Sequence, residues 1–214
     1  TWTVQGGTVN TSANTITLTG VGSFSRWSAS SASAVVSTLK LVLEGFYNTT
    51  TGRLNMRDTV RAYLRNSTSP FAVVDAALSV IDSVTFNGSF LFANATTGTY
   101  YIQTKHRNAL ETWSKSGGIS YTLGSSLNYD FTTAASQAFG NNMVLVGSDY
   151  AFYSGDVNDD GFVDGADGLL IDNDAFNFVS GYVVTDLNCD GTVDGSDAVF
   201  ADNNAFAFIG IVRP

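Results

Sequence analysis

Two acidic loops near the end of the chain have the residue types and spacing that bind a divalent cation. Residues 156–167 read D-V-N-D-D-G-F-V-D-G-A-D, and thirty residues later 186–197 read D-L-N-C-D-G-T-V-D-G-S-D. In both loops, side-chain oxygens fall at positions 1, 3, 5, 9 and 12, and a glycine stands at position 6, where the chain must turn sharply. With the backbone carbonyl of position 7, this spacing suits a calcium ion, which takes about six to eight oxygen ligands. The sequence therefore predicts two calcium sites.

Position 12 departs from the usual pattern. It is Asp167 in the first loop and Asp197 in the second, where calcium sensors have a glutamate that is one methylene longer. Sensor-type opening depends on the reach of that glutamate, so the shorter side chain favours a structural role over a signalling one.

The segments around the loops extend the repeat. Residues 172–179 and 202–209 match each other, and residues 147–155 before the first loop read as a linker, not as an entering helix. A calcium loop followed by a single helix, repeated once, resembles the dockerin module, and the resemblance covers residues 155–214. It implies calcium as the cofactor and a cohesin-like receptor as one partner. The ligands it implies are Asp156, Asn158, Asp160, Phe162 (carbonyl), Asp164, Asp167, Asp186, Asn188, Asp190, Thr192 (carbonyl), Asp194 and Asp197.

Charge divides the chain into two parts. Residues 1–148 hold nine Lys or Arg and six Asp or Glu, a net charge of +3, whereas residues 149–214 hold thirteen Asp and only Arg213, a net charge of −12. Such an acidic segment repels itself unless cations neutralise it, so calcium binding is expected to be part of its folding. Cys189 is the only cysteine, so no internal disulfide contributes.

The central part of the chain reads as β-structure. Residues 38–44 and 59–65 alternate apolar and polar with period two, and 86–92, 98–106 and 142–146 continue the series between turn clusters. The pattern predicts a mainly β fold: an antiparallel, immunoglobulin-like or prealbumin-like β-sandwich over residues 38–148. The stretch G-T-Y-Y-I-Q-T-K-H-R-N at 98–108 resembles prealbumin-like and carboxypeptidase-regulatory-like surface domains, and this resemblance implies a fold but no function.

The N-terminal segment, residues 1–37, is predicted to be a two-stranded ribbon and a linker. Residues 2–4 and 15–19 read as short strands around Gly6 and Gly7, and residues 28–34 are a linker of Ser and Ala. Because a two-stranded ribbon is not stable alone in water, it must pack on its own sandwich or complete the sheet of a neighbouring copy. The second alternative would repeat into a fibre.

The sequence offers no convincing catalytic group. His106 is the only histidine and is predicted to be an exposed strand residue, so neither a Cys/His zinc site nor a Cys–His dyad is suggested. No Gly-x-Ser-x-Gly elbow accompanies the serines, and no pair of carboxylates is arranged as in a glycosidase. A net charge of −9 disfavours nucleic acid, and no run of about eighteen apolar residues is present to span a membrane.

Taken together, these patterns predict a non-enzymatic, secreted or cell-surface structural protein, a calcium-stabilised subunit of a homopolymeric filament built by strand exchange. One alternative is the anchoring portion of a larger secreted enzyme. Another is a glycan-binding protein that stacks sugars on Trp2, Trp27 or Trp113. A secreted context also leaves glycosylation open at five Asn-x-Ser/Thr sequons. These begin at Asn10, Asn48, Asn66, Asn87 and Asn94.

Overall fold

The computed structural model describes residues 7–10, 15–18 and 35–214. The chain is mainly β, with two α-helices in the described part. The strands are β1 Gly7–Asn10, β2 Thr15–Leu18, β3 Val36–Lys40, β4 Tyr47–Asn48, β5 Arg53–Leu54, β6 Asp58–Asn66, β7 Val73–Ile81, β8 Asn87–Leu91, β9 Gly98–Lys105, β10 Thr112–Trp113, β11 Ile119–Tyr121, β12 Asn128–Asp130, β13 Val144–Val146 and β14 Asp149–Ala151. The helices are α1 Gly165–Phe176 and α2 Gly195–Phe206. Neither helix is long and apolar enough to cross a bilayer.

The N-terminal strands form an antiparallel hairpin of their own. Strand β1 pairs with β2 from Gly7↔Leu18 to Asn10↔Thr15. The first strand was expected at residues 2–4, with Gly7 in the turn, but Gly7 begins β1, and residues 2–4 lie outside the described residues. This hairpin belongs to one compact unit, and residues 35–214 belong to another.

Two sheets enclose the main apolar core, as in a β-sandwich. The first has the order β10-β9-β6-β7, with β11 also paired to β9, and the second has the order β12-β3-β8. Alternation along β6 places Val60, Ala62 and Leu64 in the core and leaves Arg61 exposed. The predicted strands at 59–65 and 98–106 correspond to β6 and β9, whereas the immunoglobulin-like or prealbumin-like topology stays a prediction.

One strand pair departs from the expected antiparallel arrangement. Strand β12 runs parallel to β3, from Asn128↔Thr38 to Asp130↔Lys40. A parallel pair needs a long connection, and here almost the whole sandwich lies between the two strands. The pattern of each strand predicts its buried face but not its partner, so this pairing could not be read from the sequence.

Residues 147–155, predicted to be a linker, are part of the folded core. Strand β14 pairs with β13, and Phe152 forms a parallel bridge with Leu43 of the sandwich. Ala151 and Ser154 are fully buried and Phe152 is almost so. The prediction was wrong because the segment is rich in Gly, Ser and Tyr, and its structure comes from pairing with residues far away in the sequence.

Candidate metal centre

The two acidic loops fold into the same shape. Gly161 and Gly191, at position 6 of each loop, have φ angles of 96° and 91°, values in the left-handed region that glycine adopts without a Cβ clash. Asp164 and Asp194, at position 9, begin the helices α1 and α2 as N-caps of complete capping boxes. The predicted loop-then-helix order is therefore present in both repeats.

The position-12 carboxylates close each loop from inside. Oδ1 of Asp167 accepts hydrogen bonds from the backbone N–H groups of Val157 (2.9 Å) and Asn158 (3.2 Å), and Oδ2 accepts from Asp164 (3.0 Å). Asp197 makes the equivalent three bonds in the second loop. A carboxylate oxygen has two lone pairs, so each of these aspartates retains one free lone pair, on Oδ2. Position 12 can therefore offer a cation one oxygen and not the bidentate pair of a sensor loop.

The position-1 carboxylates are buried with one oxygen unsatisfied. Asp156 and Asp186 are each 2% exposed, and Oδ2 of Asp156 and Oδ1 of Asp186 have no hydrogen-bond partner. Burial raises the pKa of Asp156 to about 6, and the neighbouring charge of Asp167 adds to the rise. Burial, together with the charge of Asp197, also raises the pKa of Asp186. A buried, unpartnered carboxylate oxygen is costly, and a bound cation would remove that cost.

Positions 3 and 5 present oxygens at the open side of each loop. The side-chain oxygen of Asn158 accepts from the N–H of Asp160 at 2.8 Å, and its Nδ2 donates to Oδ2 of Asp160 at 3.0 Å. Asn188 and Asp190 repeat this arrangement. Each aspartate also accepts from the N–H of position 7, which is Phe162 in the first loop. These contacts hold the predicted ligand residues in one turn.

Among the residues that the structure describes, no three His, Cys, Asp or Glu side chains are grouped as they would be around a metal ion. A calcium loop, however, also uses amide and main-chain oxygens. Whether these loops fit calcium therefore depends on which of their oxygens lack a hydrogen-bond partner. The unpartnered oxygens of Asp156 and Asp186 fit a hard cation. The twelve ligands inferred from the sequence stay a prediction.

Each loop is held by the segment that follows the other helix. The N–H of Val163 donates to the carbonyl of Ile209, and the N–H of Ile211 donates to the carbonyl of Gly161, both at 2.9 Å. In the second loop, the N–H of Val193 donates to the carbonyl of Val179 at 3.0 Å, and Thr192 forms a bridge with Ser180. The two repeats therefore fold as one unit, and we call residues 155–214 the calcium module after the cofactor that the sequence predicts.

A buried polar cluster joins the sandwich to the calcium module, and the sequence did not predict it. Asp58, 5% exposed, accepts from Nε of Arg107 at 2.8 Å and from the hydroxyl of Tyr182 at 2.6 Å. The Arg107 guanidinium lies 4.4 Å from the Tyr182 ring centroid. Burial alone would raise the pKa of Asp58, but the contacts with His106, Arg107 and Tyr182 outweigh it and hold the pKa well below its usual range. The adjacent basic residues 105–107 and the acidic C-terminal segment were the only signal in the sequence.

His106 belongs to this cluster and is not the exposed strand residue that was expected. It follows the end of β9, and its side chain is 2% exposed. Its Nε2 lies 3.2 Å from Oδ2 of Asp58, too poorly aligned for a hydrogen bond, and its ring packs edge-on against Phe46 at 5.1 Å. Burial lowers the pKa of His106. The carboxylate of Asp58 opposes this effect, and the charge of Arg107 adds to it.

The lowered pKa of His106 predicts that this residue contributes less to stability in acid. The unfolded chain gains a proton as the pH falls through about 6.5, the ordinary pKa of histidine, whereas burial shifts the protonation of His106 in the folded chain to a lower pH. The stability that neutral His106 contributes is therefore present above this ordinary pKa and is lost below it. The raised pKa values of Asp156 and Asp186 act in the opposite direction, but they act equally in the unmodified chain and in His106→Gln. As the pH is lowered from about 7 to about 5, the thermal midpoint of the unmodified chain should therefore fall relative to that of His106→Gln. A constant difference between the two midpoints over this range would refute the assignment.

One of the three tryptophans proposed for glycan stacking, Trp113, is not available on the surface. Trp113 is 4% exposed, and the guanidinium of Arg65 covers its ring at 5.2 Å from the centroid. Its indole N–H donates to Oε1 of the buried Glu111 at 2.6 Å. Sugar stacking needs an open ring face, so Trp113 does not support the glycan-binding alternative. Trp2 and Trp27 lie outside the described residues.

Comparisons with known proteins give no family assignment. No family profile matches the chain, and no curated protein matches it. Similar solved structures include two of a type II cohesin–X-dockerin complex from Acetivibrio cellulolyticus. A chain of its C-terminal interface mutant is 17% identical with a TM-score of 0.49, and the likeness covers 79% of this chain and 94% of that chain. A chain of its N-terminal interface mutant is 15% identical with a TM-score of 0.43, covering 81% and 95%.

Proposed function

We propose that this chain is a non-enzymatic, extracellular assembly protein whose C-terminal module is held together by two calcium ions. The observation that carries the calcium proposal is the pair of buried position-1 carboxylates, each with one oxygen that has no hydrogen-bond partner. Calcium would be held by the side chains at loop positions 1, 3, 5, 9 and 12 and by the carbonyls of Phe162 and Thr192. When bound, it would supply positive charge to a segment of net charge −12, bringing that charge to −8.

The finer proposal is that copies of the chain join through their N-terminal hairpins. The β1–β2 hairpin belongs to a compact unit separate from residues 35–214, and a two-stranded ribbon gains stability by joining another sheet. A segment donated from each copy to the next is a heterologous contact, and such contacts propagate into filaments. Imaging the calcium-loaded chain by negative-stain microscopy tests this directly. Continuous filaments would support it, and single particles at high concentration would oppose it.

One observation favours docking to a different receptor as a second candidate function. Four phenylalanines at matching positions of the two repeats are 82% to 93% exposed. They are Phe176, Phe178, Phe206 and Phe208. Exposed apolar side chains that lie together in a patch mark interaction sites more often than single, scattered ones do. A chain that stays monomeric in calcium would direct attention to these phenylalanines and to a receptor of another sequence.

Calcium titration tests the number of sites. We expect two calcium ions per chain by isothermal titration calorimetry. Asp160→Ala removes a carboxylate from the first loop alone, so it should abolish or strongly weaken one site and leave the other occupied. Asp172→Ala, at a helix position outside both loops, is the matched control and should keep both sites. Absence of calcium binding in the unmodified chain would overturn the proposal.

A further inference from the structure

The sandwich braces the backbone of the second calcium loop at its first and third positions. Asn108 is fully buried, and its Nδ2 donates to the carbonyl of Asp186 at 3.2 Å and to that of Val184 at 3.0 Å. Asn55 donates from Nδ2 to the carbonyl of Asn188 at 2.8 Å. Both asparagines belong to the sandwich, and both acceptors belong to the backbone, so these bonds fix the path of the loop itself.

The second and fourth positions of the same loop also contact the sandwich. A Cβ at Gly45 would lie 2.3 Å from the carbonyl oxygen of Leu187, so only a glycine permits this backbone-to-backbone approach. Leu187 is fully buried. At position 4, Nη2 of Arg107 lies 3.3 Å from Sγ of Cys189. Four consecutive positions, 186–189, are thus held by the sandwich.

Within residues 35–214, the sandwich bonds to the backbone of the first loop only at the residue before it, where the N–H of Gly155 donates to the carbonyl of Asn108 at 2.9 Å. Its sandwich contact at positions 1–4 is an ion pair between Lys105 Nζ and the carboxylate of Asp159, at 2.8 and 3.0 Å. The Asp159 side chain is 62% exposed, and an exposed ion pair contributes little and restrains only a side chain. The two loops therefore share one internal geometry but differ in how firmly their backbones are held.

We infer that the second loop binds calcium more tightly than the first, with Asn55, Asn108 and Gly45 acting as positioning residues for its backbone. This inference rests on the proposed calcium function. A loop already fixed by its neighbours loses less conformational freedom when it binds, and preorganisation of this kind appears as affinity. Linkage requires the reverse effect as well, so calcium in the second loop stabilises the contact with the sandwich.

Single-site variants allow each loop to be measured alone. Asp160→Ala disables the first loop and reports the second, whereas Asp190→Ala disables the second loop and reports the first. In calorimetric titrations with calcium chloride, the Asp160→Ala chain should bind more tightly than the Asp190→Ala chain. Adding Asn55→Ala should weaken the second loop by roughly tenfold, as removal of a residue that supports metal ligands commonly does, and leave the first loop unchanged.

The side chain of Asn55 is exposed, so replacing it should not disturb folding. Asn87→Ala, another exposed asparagine of the sandwich, is the matched control and should change neither site. Equal affinities of the two loops, or an equal loss in both backgrounds from Asn55→Ala, would overturn the inference and leave two calcium sites standing. No calcium heat in the unmodified chain would overturn the inference together with the proposed function.

Discussion

Removing calcium is expected to unfold the calcium module. Without the ions, the eight carboxylates among the predicted ligands lie close together and the segment 149–214 returns to a net charge of −12. A ligand that binds only the folded state at a thousandfold excess over its Kd contributes about 4 kcal/mol per site. Loss of two such sites is large beside the usual stability of a domain. We therefore expect helices α1 and α2, of 12 residues each, to melt on chelation.

Circular dichroism and thermal melting in excess chelator, with and without restored calcium, measure this effect. The helical signal should fall and return with calcium, whereas magnesium is the control and should restore less because it prefers a rigid octahedral site. The sandwich should also lose stability, since Leu110 packs with Leu187 and Ile171 in the core of the calcium module. An unchanged melting curve in chelator would show that the acidic loops fold without metal.

Deleting residues 1–27 is expected to abolish filament formation and leave a monomer. If this segment completes the sheet of the next copy, a chain without it has no strand to donate to that sheet. The same segment supplied as a peptide should raise the thermal midpoint of the truncated chain. Calcium affinity should stay the same, because both loops lie in the other compact unit. Negative-stain imaging and sedimentation compare the two chains.

Point variants within β2 sharpen this test. Ile16 and Leu18 alternate with Thr15 and Thr17, so in a strand the two apolar residues share one face. Replacing both Ile16 and Leu18 with Asn should shorten or abolish filaments, whereas Thr15→Asn with Thr17→Asn, the matched control, should spare them. A full-length monomer whose residues 1–27 are protected from hydrogen exchange would show instead that the hairpin belongs to its own chain.

Local patterns predicted the shape of the two acidic loops and the strands with the clearest alternation. The acidic repeat sets its own turn, cap and helix within about a dozen residues, so Gly161 and Asp164 lie where the spacing predicted. Period-two alternation predicted the buried face of β6, because it requires only that one face of the strand contacts a core. Val60 and Leu64 lie on that face.

Contacts between distant residues could not be predicted in this way. Asp58 meets Arg107 across 49 positions and Tyr182 across 124, and no local pattern shows that they are partners. His106 was expected on a solvated face because it seemed to continue the alternation of β9. The strand instead ends at Lys105, and the next residues turn toward the calcium module.

The crossed pairing between the two repeats sets an order on folding during synthesis. Val163 in the first loop bonds to Ile209, and Gly161 bonds to Ile211, about fifty residues further along the chain. The first loop therefore lacks this support as it leaves the ribosome and gains it only after the second helix and the residues that follow it have emerged. The module thus completes both loops in one late, cooperative step.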